Sequence, residues 1–328
     1  MFLDFYYPYL LIFIISFILD VFILFKSQHI SKFLGILDHP TKRKNHQVPT
    51  PLIFSVIFLK NLFVFVYISS FSNFSILLSI VIFLFIMFGI SDDKKNISYL
   101  ANLFITSLLI LLTLEMFPNL IIDKVKFYYI KTFTIDHIGI YLTLLCLSFI
   151  LIISNWFDGH NTFSSFFILS LLLFFILKLD FKSETYPLIL LVTLSLIIFL
   201  LFNYFGKVFL GSGGIYPISF LCGFLFLVLN SLNNILFEEI LSLCLIPIID
   251  FFSVLVKRLR NNQSIFLPDN LNHYHHVMKD FSYNLKIIII LTHSILGFLG
   301  AYYIYFNIYF IIINLFLYIF VHIITFKY

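Results

Sequence analysis

The sequence carries little charge. Only 11% of its 328 residues are Asp, Glu, Lys or Arg, whereas soluble domains usually contain about 25%. Hydrophobic residues make up 61% of the chain, and the mean hydropathy is +1.07. This balance excludes an ordinary soluble domain, and a net charge of +4 gives no support for nucleic-acid binding. We therefore expect most of the chain to lie in a lipid bilayer.

Cysteine is scarce as well. Cys146, Cys222 and Cys244 lie in apolar runs without the spacing of a metal site, so we interpret them as small buried hydrophobic residues. Glycine is infrequent (11 residues), and no Ser/Gly-rich linker divides the chain. We therefore predict a single multi-spanning domain over residues 1–328.

Long apolar runs recur along the whole chain. A helix needs roughly 17–25 apolar residues to cross a bilayer, and in hydrocarbon the backbone must satisfy its own polar groups, which favours helices. We predict an all-α polytopic integral membrane protein with about 11 transmembrane helices. The predicted spans lie near residues 3–25, 52–70, 74–90, 98–117, 138–154, 163–178, 186–203, 215–230, 235–256, 284–302 and 304–325.

Lys and Arg predict the orientation, because they are enriched in cytoplasmic loops. The loops of one side hold most of these residues, and those of the other side hold five lysines. The prediction places the N-terminus outside and the C-terminus in the cytoplasm. Lys60 falls inside a span, where a cation is a functional candidate unless it snorkels or faces a polar cavity. The polar loops predicted to share the cytoplasmic side lie near 26–51, 91–97, 155–162, 203–214 and 257–283.

Two of these loops carry charged clusters with open interpretations. Asp92 and Asp93 close the third predicted span. Adjacent carboxylates suit Mg²⁺, which takes one or two carboxylates plus phosphate oxygens; the alternative is a solvated helix end. Arg43 and His46 belong to a basic run. That run either touches anionic headgroups or surrounds an anionic phosphate.

Three further polar clusters interrupt the apolar runs: Asn155, Asp158 and Asn161; Asn203 and Lys207 before the Gly-rich turn 211–214; and His273, His275 and His276. The first is either a tight turn or a binding site. The second contains a turn whose N–H groups can bind phosphate where a helix begins. The third is a set of metal ligands, a phosphate clamp or a surface loop. It lacks the closed ligand set of a zinc site, which favours a phosphate or nucleotide role.

Taken in order, these five clusters resemble the motifs of the polyprenyl-phosphate N-acetylhexosamine-1-phosphate transferases of glycosyltransferase family 4. The ending with His273, His275 and His276 is similar to the WecA-like branch rather than to the related MraY branch. The residues that carry the resemblance are Asp38, Pro40, Arg43, Lys44 and His46; Asp92, Asp93 and Asn96; Asn155, Asp158, Gly159 and Asn161; Asn203 and Lys207 to Gly214; and Pro268, Asp269, His273, His275 and His276.

The resemblance implies a reaction in which undecaprenyl phosphate accepts a sugar 1-phosphate from a UDP-sugar such as UDP-GlcNAc, releasing UMP. The product would start a lipid-linked surface glycan such as the O-antigen of lipopolysaccharide. The resemblance further implies Mg²⁺ (or Mn²⁺) and a bacterial inner (plasma) membrane location with a cytoplasmic active site, and it is compatible with a homodimer. The implied catalytic residues are Asp92, Asp93 and Asp158; the metal ligands are Asp92, Asp93 and Ser212; and the substrate-binding residues are Arg43, His46, Asn155, Asn161, Asn203, Lys207, His273, His275 and His276.

Four residues and one insertion depart from the family pattern. Ser212 stands where the family has an Asp, Thr162 where it has a Gly, and Phe54-Ser55 where it has Gly-Gly. The histidine loop carries one extra residue, Asn272, between Pro268-Asp269 and His273. Two hypotheses therefore stay open. The protein is either an active transferase or a catalytically degenerate member of the family that binds lipid or a partner. A lipid transporter is disfavoured, because transporters usually show repeats and polar residues at mid-membrane.

Overall fold

The computed structural model describes residues 9–40, 48–95, 97–130, 132–135, 137–158, 162–262 and 274–326. Nearly all regular structure in these ranges is helical, which confirms the predicted class. The α-helices are α1 (Leu10–Phe25), α2 (Ser27–Leu34), α3 (Phe54–Ile68), α4 (Asn73–Lys95), α5 (Tyr99–Met116), α6 (Gly139–Phe157), α7 (Phe163–Lys178), α8 (Tyr186–Tyr204), α9 (Ser212–Ser231), α10 (Phe237–Arg260), α11 (Tyr274–Val277), α12 (Tyr283–Tyr302) and α13 (Asn307–Phe326).

Two short antiparallel hairpins accompany the helices. Strand β1 (Leu37–Asp38) pairs with β2 (Thr50–Pro51), and β3 (Lys124–Val125) pairs with β4 (Phe133–Thr134). The Phe209 N–H also donates to the Pro51 carbonyl at 2.9 Å, which joins the Gly-rich turn to the first hairpin. These strands were not predicted, because two-residue strands leave no periodic signal.

Every predicted span overlaps a described helix. Eight of the described helices are long and apolar enough to cross a membrane; α1 and α2 form a further bent pair with a 75° angle; and α3 and α7 are shorter apolar helices. The structure therefore supports a multi-pass membrane protein. The count of eleven spans and the orientation stay predictions.

The contacts of the chain form two compact units. The first contains Met1–Ile97 and Phe175–Leu221, and the second contains Ser98–Phe174 and Cys222–Tyr328. The single domain expected from the sequence stays a prediction.

The core of the first unit is built largely from phenylalanine. The rings of Phe85 and Phe220 stack with centroids 4.4 Å apart, and Phe54 meets Phe199 edge-on at 5.0 Å. All four side chains are fully buried. Such aromatic pairs contribute about 0.5–1.5 kcal/mol each beyond area burial.

A polar cluster lies inside this core, around Lys60. Its ammonium lies 2.6 Å from an Asp20 carboxylate oxygen and donates to the Ser16 hydroxyl at 2.7 Å. The Ser195 hydroxyl donates to the other Asp20 oxygen at 2.7 Å, and the Asn61 amide donates to Ser195 at 2.9 Å. Lys60 therefore faces a polar cluster rather than snorkelling to the surface.

In the second unit, small residues let α10, α12 and α13 approach closely. A Cβ added at Gly300 would lie 2.2 Å from the Ser242 hydroxyl, and one at Gly297 would lie 2.9 Å from the Ser242 carbonyl. The Asn307 amide completes this junction by donating to the Gly300 carbonyl at 2.8 Å. Small residues are common where membrane helices pack against one another.

Candidate active site

The carboxylate pair at the end of α4 joins two motifs that lie far apart in the sequence. One Asp93 oxygen accepts the Ser212 N–H at 2.7 Å, and the other accepts the Gly213 N–H at 2.9 Å. Helix α9 begins at Ser212, so Asp93 satisfies amides of its first turn that have no intrahelical partner. A carboxylate is also favoured at the positive end of the helix dipole. The predicted Asp pair and the Gly-rich segment thus form one site in the first unit.

Asp92 is held differently from its neighbour. One oxygen accepts the Ile97 N–H at 3.1 Å, and the other accepts the Tyr216 hydroxyl at 3.2 Å. The Tyr216 ring stacks on Phe88 with centroids 5.5 Å apart. Tyr216 is a site residue that the sequence interpretation missed, although it lies one helical turn after Ser212, a spacing that places both on one face.

Glycines permit this close approach of α4 and α9. A Cβ at Gly89 would lie 2.3 Å from the Ser212 carbonyl oxygen. Gly211 has φ +67°, in the left-handed region that favours glycine, and a Cβ there would lie 2.9 Å from an Asp93 oxygen. The site therefore depends on two positions without side chains.

The oxygen donors around the Asp pair are compatible with Mg²⁺. Asp92, Asp93 and the Ser212 hydroxyl, which hydrogen-bonds to Asp93, are hard donors. The Asp93 carboxylate thus accepts three hydrogen bonds, which leaves one of its oxygens with a second acceptor position. In the described ranges no group of three or more His, Cys, Asp and Glu side chains converges. A cation here would therefore need phosphate or water oxygens to complete its coordination.

Asn203 and Lys207 surround the turn that follows α8. The buried Asn203 amide donates to the Val208 carbonyl at 2.7 Å, and Gly206 has φ +64°. Lys207 is exposed, with its ammonium 5.8 Å from the centre of the Phe205 ring. Asn203 thus shapes the turn, and its predicted contact with substrate stays a prediction, as does that of Lys207.

In the second unit, Asp158 follows the last residue of α6. It accepts a hydrogen bond from the Ser164 hydroxyl at the start of α7. Desolvation raises the pKa of the Asp158 carboxyl to about 6, although the Ser164 bond opposes the rise. Asn155 lies in the last turn of α6, and its carbonyl accepts the Asp158 N–H at 3.3 Å. A carboxyl with such a pKa changes charge near neutral pH.

A buried cation lies beside this segment. The Arg258 guanidinium lies 5.0 Å from the centre of the Trp156 ring, and Trp156 packs on Phe251 with centroids 4.9 Å apart. Arg258 is only 2% exposed. The sequence places Arg258 in the last predicted polar loop but does not distinguish it from Lys257 and Arg260, which lie with it in the last turn of α10. A cation–π contact of this kind stabilises a desolvated Arg by about 2 kcal/mol.

The remaining predicted substrate-binding residues lie either in the short helix α11 or outside the residues that the structure describes. His275 and His276 belong to α11, directly after Tyr274. The residues that lie outside the described ranges are Arg43, His46, Asn161 and His273.

Comparisons with known proteins match the segments that carry these residues. Residues 74–230 match the model of the family described as glycosyl transferase family 4. The chain is 25% identical to the undecaprenyl-phosphate alpha-N-acetylglucosaminyl 1-phosphate transferase of Haemophilus influenzae, over 76% of this chain and 73% of that protein. The family match contains the Asp92–Asp93 pair, the Asn155–Asp158 segment and the start of α9 at Ser212.

Proposed function

The chain belongs to glycosyl transferase family 4, as its motifs predicted, and on that premise we propose that it transfers a hexosamine 1-phosphate to undecaprenyl phosphate. The donor is a UDP-N-acetylhexosamine, and the second product is UMP. The lipid-linked sugar then starts a bacterial cell-surface glycan. The name of the Haemophilus influenzae relative and the apolar helices support a lipid-phosphate acceptor.

The observation that carries this proposal is the bonding of Asp93 to the start of α9. Phosphoryl transfer is catalysed mainly by positioning and by electrostatic stabilisation of crowded phosphate oxygens. Groups already held in orientation do this best, because they need no reorganisation during the reaction. The two amides fix Asp93, and Tyr216 with the Ile97 amide fixes Asp92.

The proposed reaction exchanges one phosphorus–oxygen bond for another. An oxygen of the lipid phosphate bonds to the β-phosphorus of the UDP-sugar. The bond from that phosphorus to the bridging oxygen breaks, and this oxygen leaves with UMP. A phosphate monoester has a second pKa near 6, so the nucleophile is largely ionised at neutral pH and hardly needs a general base.

The chain's own residues divide into three roles. Asp92, Asp93 and Ser212 would hold Mg²⁺, which when bound neutralises charge on the phosphate oxygens. The carboxyl of Asp158 and three side-chain amides bind the nucleotide sugar, and basic groups hold phosphates. The proposed amide contacts are Asn155, Asn161 and Asn203, and the proposed phosphate contacts are Arg43, His46, Lys207, His273, His275 and His276.

Release of UMP tests the proposal. The assay supplies Mg²⁺, undecaprenyl phosphate in detergent and a panel of UDP-N-acetylhexosamines. Asp180→Asn is the matched control, because Asp180 is an exposed carboxylate in a turn after α7. We expect the native chain and Asp180→Asn to release UMP equally, and Asp92→Asn to be slower by at least about 100-fold. Equal turnover of Asp92→Asn would contradict the assigned site.

Ser212 supports a second candidate, a degenerate member that binds lipid or nucleotide without turnover. A hydroxyl is a weaker cation ligand than the family's carboxylate, although P-loop enzymes do use one. The discriminating variant is Ser212→Asp in the same assay. A silent native chain together with an active Ser212→Asp would show that the site has lost its cation ligand.

A further inference from the structure

Tyr274 stands in the middle of the predicted phosphate-binding histidines. Its covalent neighbours are His273 and His275, and His276 follows. The Tyr274 side chain is 0% exposed, the largest side chain among the fully buried ones in the described chain. A bulky aromatic residue buried inside a polar histidine segment is not explained by the proposed phosphate contacts.

Three elements of the second unit hold Tyr274 in place. Its backbone N–H donates to an Asp250 carboxylate oxygen of α10 at 2.8 Å. Its hydroxyl lies 2.9 Å from Nε2 of His293 on α12. Its ring stacks on Tyr318 of α13 with centroids 4.6 Å apart and on His322 at 5.6 Å. The backbone, the ring and the hydroxyl are thus each fixed by a different group.

The partner of the hydroxyl is itself held in one orientation. The Asn314 amide donates to the His293 carbonyl at 3.3 Å, so its oxygen is the atom that faces Nδ1 of His293. That oxygen can only accept, so Nδ1 carries the imidazole proton. Nε2 is therefore the acceptor, and Tyr274 donates to it. A chain of three hydrogen-bonded side chains links the histidine segment to two membrane helices.

We propose that Tyr274 is a positioning residue, which fixes α11, the helix of His275 and His276, for binding the phosphates of the nucleotide donor. The inference rests on the proposed function. Adjacent Cα atoms are about 3.8 Å apart, so immobilising Tyr274 restricts the backbone of His275, the next residue of α11. Groups ordered before binding lose less conformational entropy when the ligand arrives, which strengthens binding.

Titration of UDP with Mg²⁺ tests this role, because UDP carries the two phosphates common to every proposed donor. We expect Tyr274→Phe, which loses only the bond to His293, to raise the Kd for UDP about tenfold at unchanged stoichiometry. The control is Tyr318→Phe. Within the described part of the chain, the Tyr318 hydroxyl makes only a long 3.4 Å bond to Ser253, so the Kd of this variant should stay within about twofold of native.

A merely structural role would give a different signature. Misfolded molecules lower the binding stoichiometry and leave the Kd of the remaining ones unchanged. An unchanged Kd in Tyr274→Phe, or a native chain that does not bind UDP, would overturn the inference. Binding without UMP release would instead overturn only the transferase proposal.

Amide hydrogen exchange provides the second readout, and it requires no ligand. In Tyr274→Leu, which also loses the ring stacking, we expect the amides from Tyr274 to Met278 to exchange at least about tenfold faster than in the native chain. The same amides in Tyr318→Phe should exchange as in the native chain. Native rates in Tyr274→Leu would show that the side chain does not hold the segment.

Discussion

At the scale of single residues, the raised pKa of Asp158 affects both the stability of the protein and the proposed chemistry. Desolvation raises its pKa from 3.8 to about 6. Between these values the folded chain binds a proton that the unfolded chain releases, so stability is lost as pH rises through about 4 to 6. Ionised Asp158 is thus an unfavourable group in the folded protein at neutral pH, as is common at functional sites.

Asp158→Asn should remove this pH-dependent loss. We expect the variant to be more stable than the native chain by about 1–3 kcal/mol at pH 7 and equal to it near pH 4. Unfolding in detergent, measured between pH 4 and 8, checks this. Ser164→Ala, which removes the opposing hydrogen bond, should move the native transition to higher pH. A gain of the same size at pH 4 would contradict the assignment.

Thr162 adopts a backbone conformation that its side chain disfavours. It has φ +73° and is buried, at the position where the family motif has glycine. A β-branched residue in the left-handed region costs about 1–2 kcal/mol. We expect Thr162→Gly to stabilise the protein by about 0.5–1 kcal/mol. The gain is smaller than the relieved strain because glycine also increases the conformational entropy of the unfolded chain.

Thermal unfolding in detergent measures this change. Thr193→Gly is the matched control, because Thr193 lies inside α8. Glycine there should destabilise the protein by about 0.5–1 kcal/mol. Destabilisation by Thr162→Gly of the same size would show that the backbone at 162 is not strained.

At the scale of elements, the contact between α4 and α9 determines the geometry of the carboxylate pair. We expect Gly89→Ala to destabilise the protein by about 1–3 kcal/mol, because the new Cβ meets backbone atoms that no rotamer change can move. The displacement of α9 would also weaken the amide bonds to Asp93 and lower UMP release.

Ser91→Ala provides the comparison for this helix. Among the described residues, its hydroxyl bonds only to the Met87 carbonyl of the same helix. The stability and the UMP release of Ser91→Ala should therefore remain close to those of the native chain. Native-like behaviour of Gly89→Ala would mean that the two helices do not approach as described.

The junction of α1, α3 and α8 contains the ion pair of Lys60 and Asp20. Removing one partner from a buried pair leaves an uncompensated charge, which costs about 3–5 kcal/mol. We expect Lys60→Met to show a loss of this size and Lys60→Met/Asp20→Leu to recover most of it. Unfolding free energies of the single and double variants form the test. Additive losses would show that the two charges are not coupled.

For the whole molecule, the orientation of the helices stays the main prediction. Single cysteines introduced on a background without Cys146, Cys222 and Cys244 can be labelled with a membrane-impermeant reagent. We expect Lys95→Cys to react only from the cytoplasmic side and Asp180→Cys only from the outside. Both positions are exposed. Labelling of both from one side would overturn the predicted topology.

Sequence reasoning located the helices and singled out candidate site residues. Apolar runs locate spans because the bilayer imposes the same requirement on every segment, independent of the neighbouring helices. The residues Asp92, Asp93, Asp158 and Ser212 were found from motif order. Their hydrogen-bond partners were not, since Tyr216 and Ser164 are residue types with many ordinary roles.

The sequence by itself determined the membrane class, the helices and the family, because these depend on local apolar length and on short motifs. Only the tertiary structure decided that Asp93 binds the first amides of α9 and that Lys60 is paired with Asp20. It alone showed that Tyr274 is enclosed by α10, α12 and α13. Each of these contacts joins segments distant in sequence, and such pairings depend on how helices pack, which hydropathy does not encode.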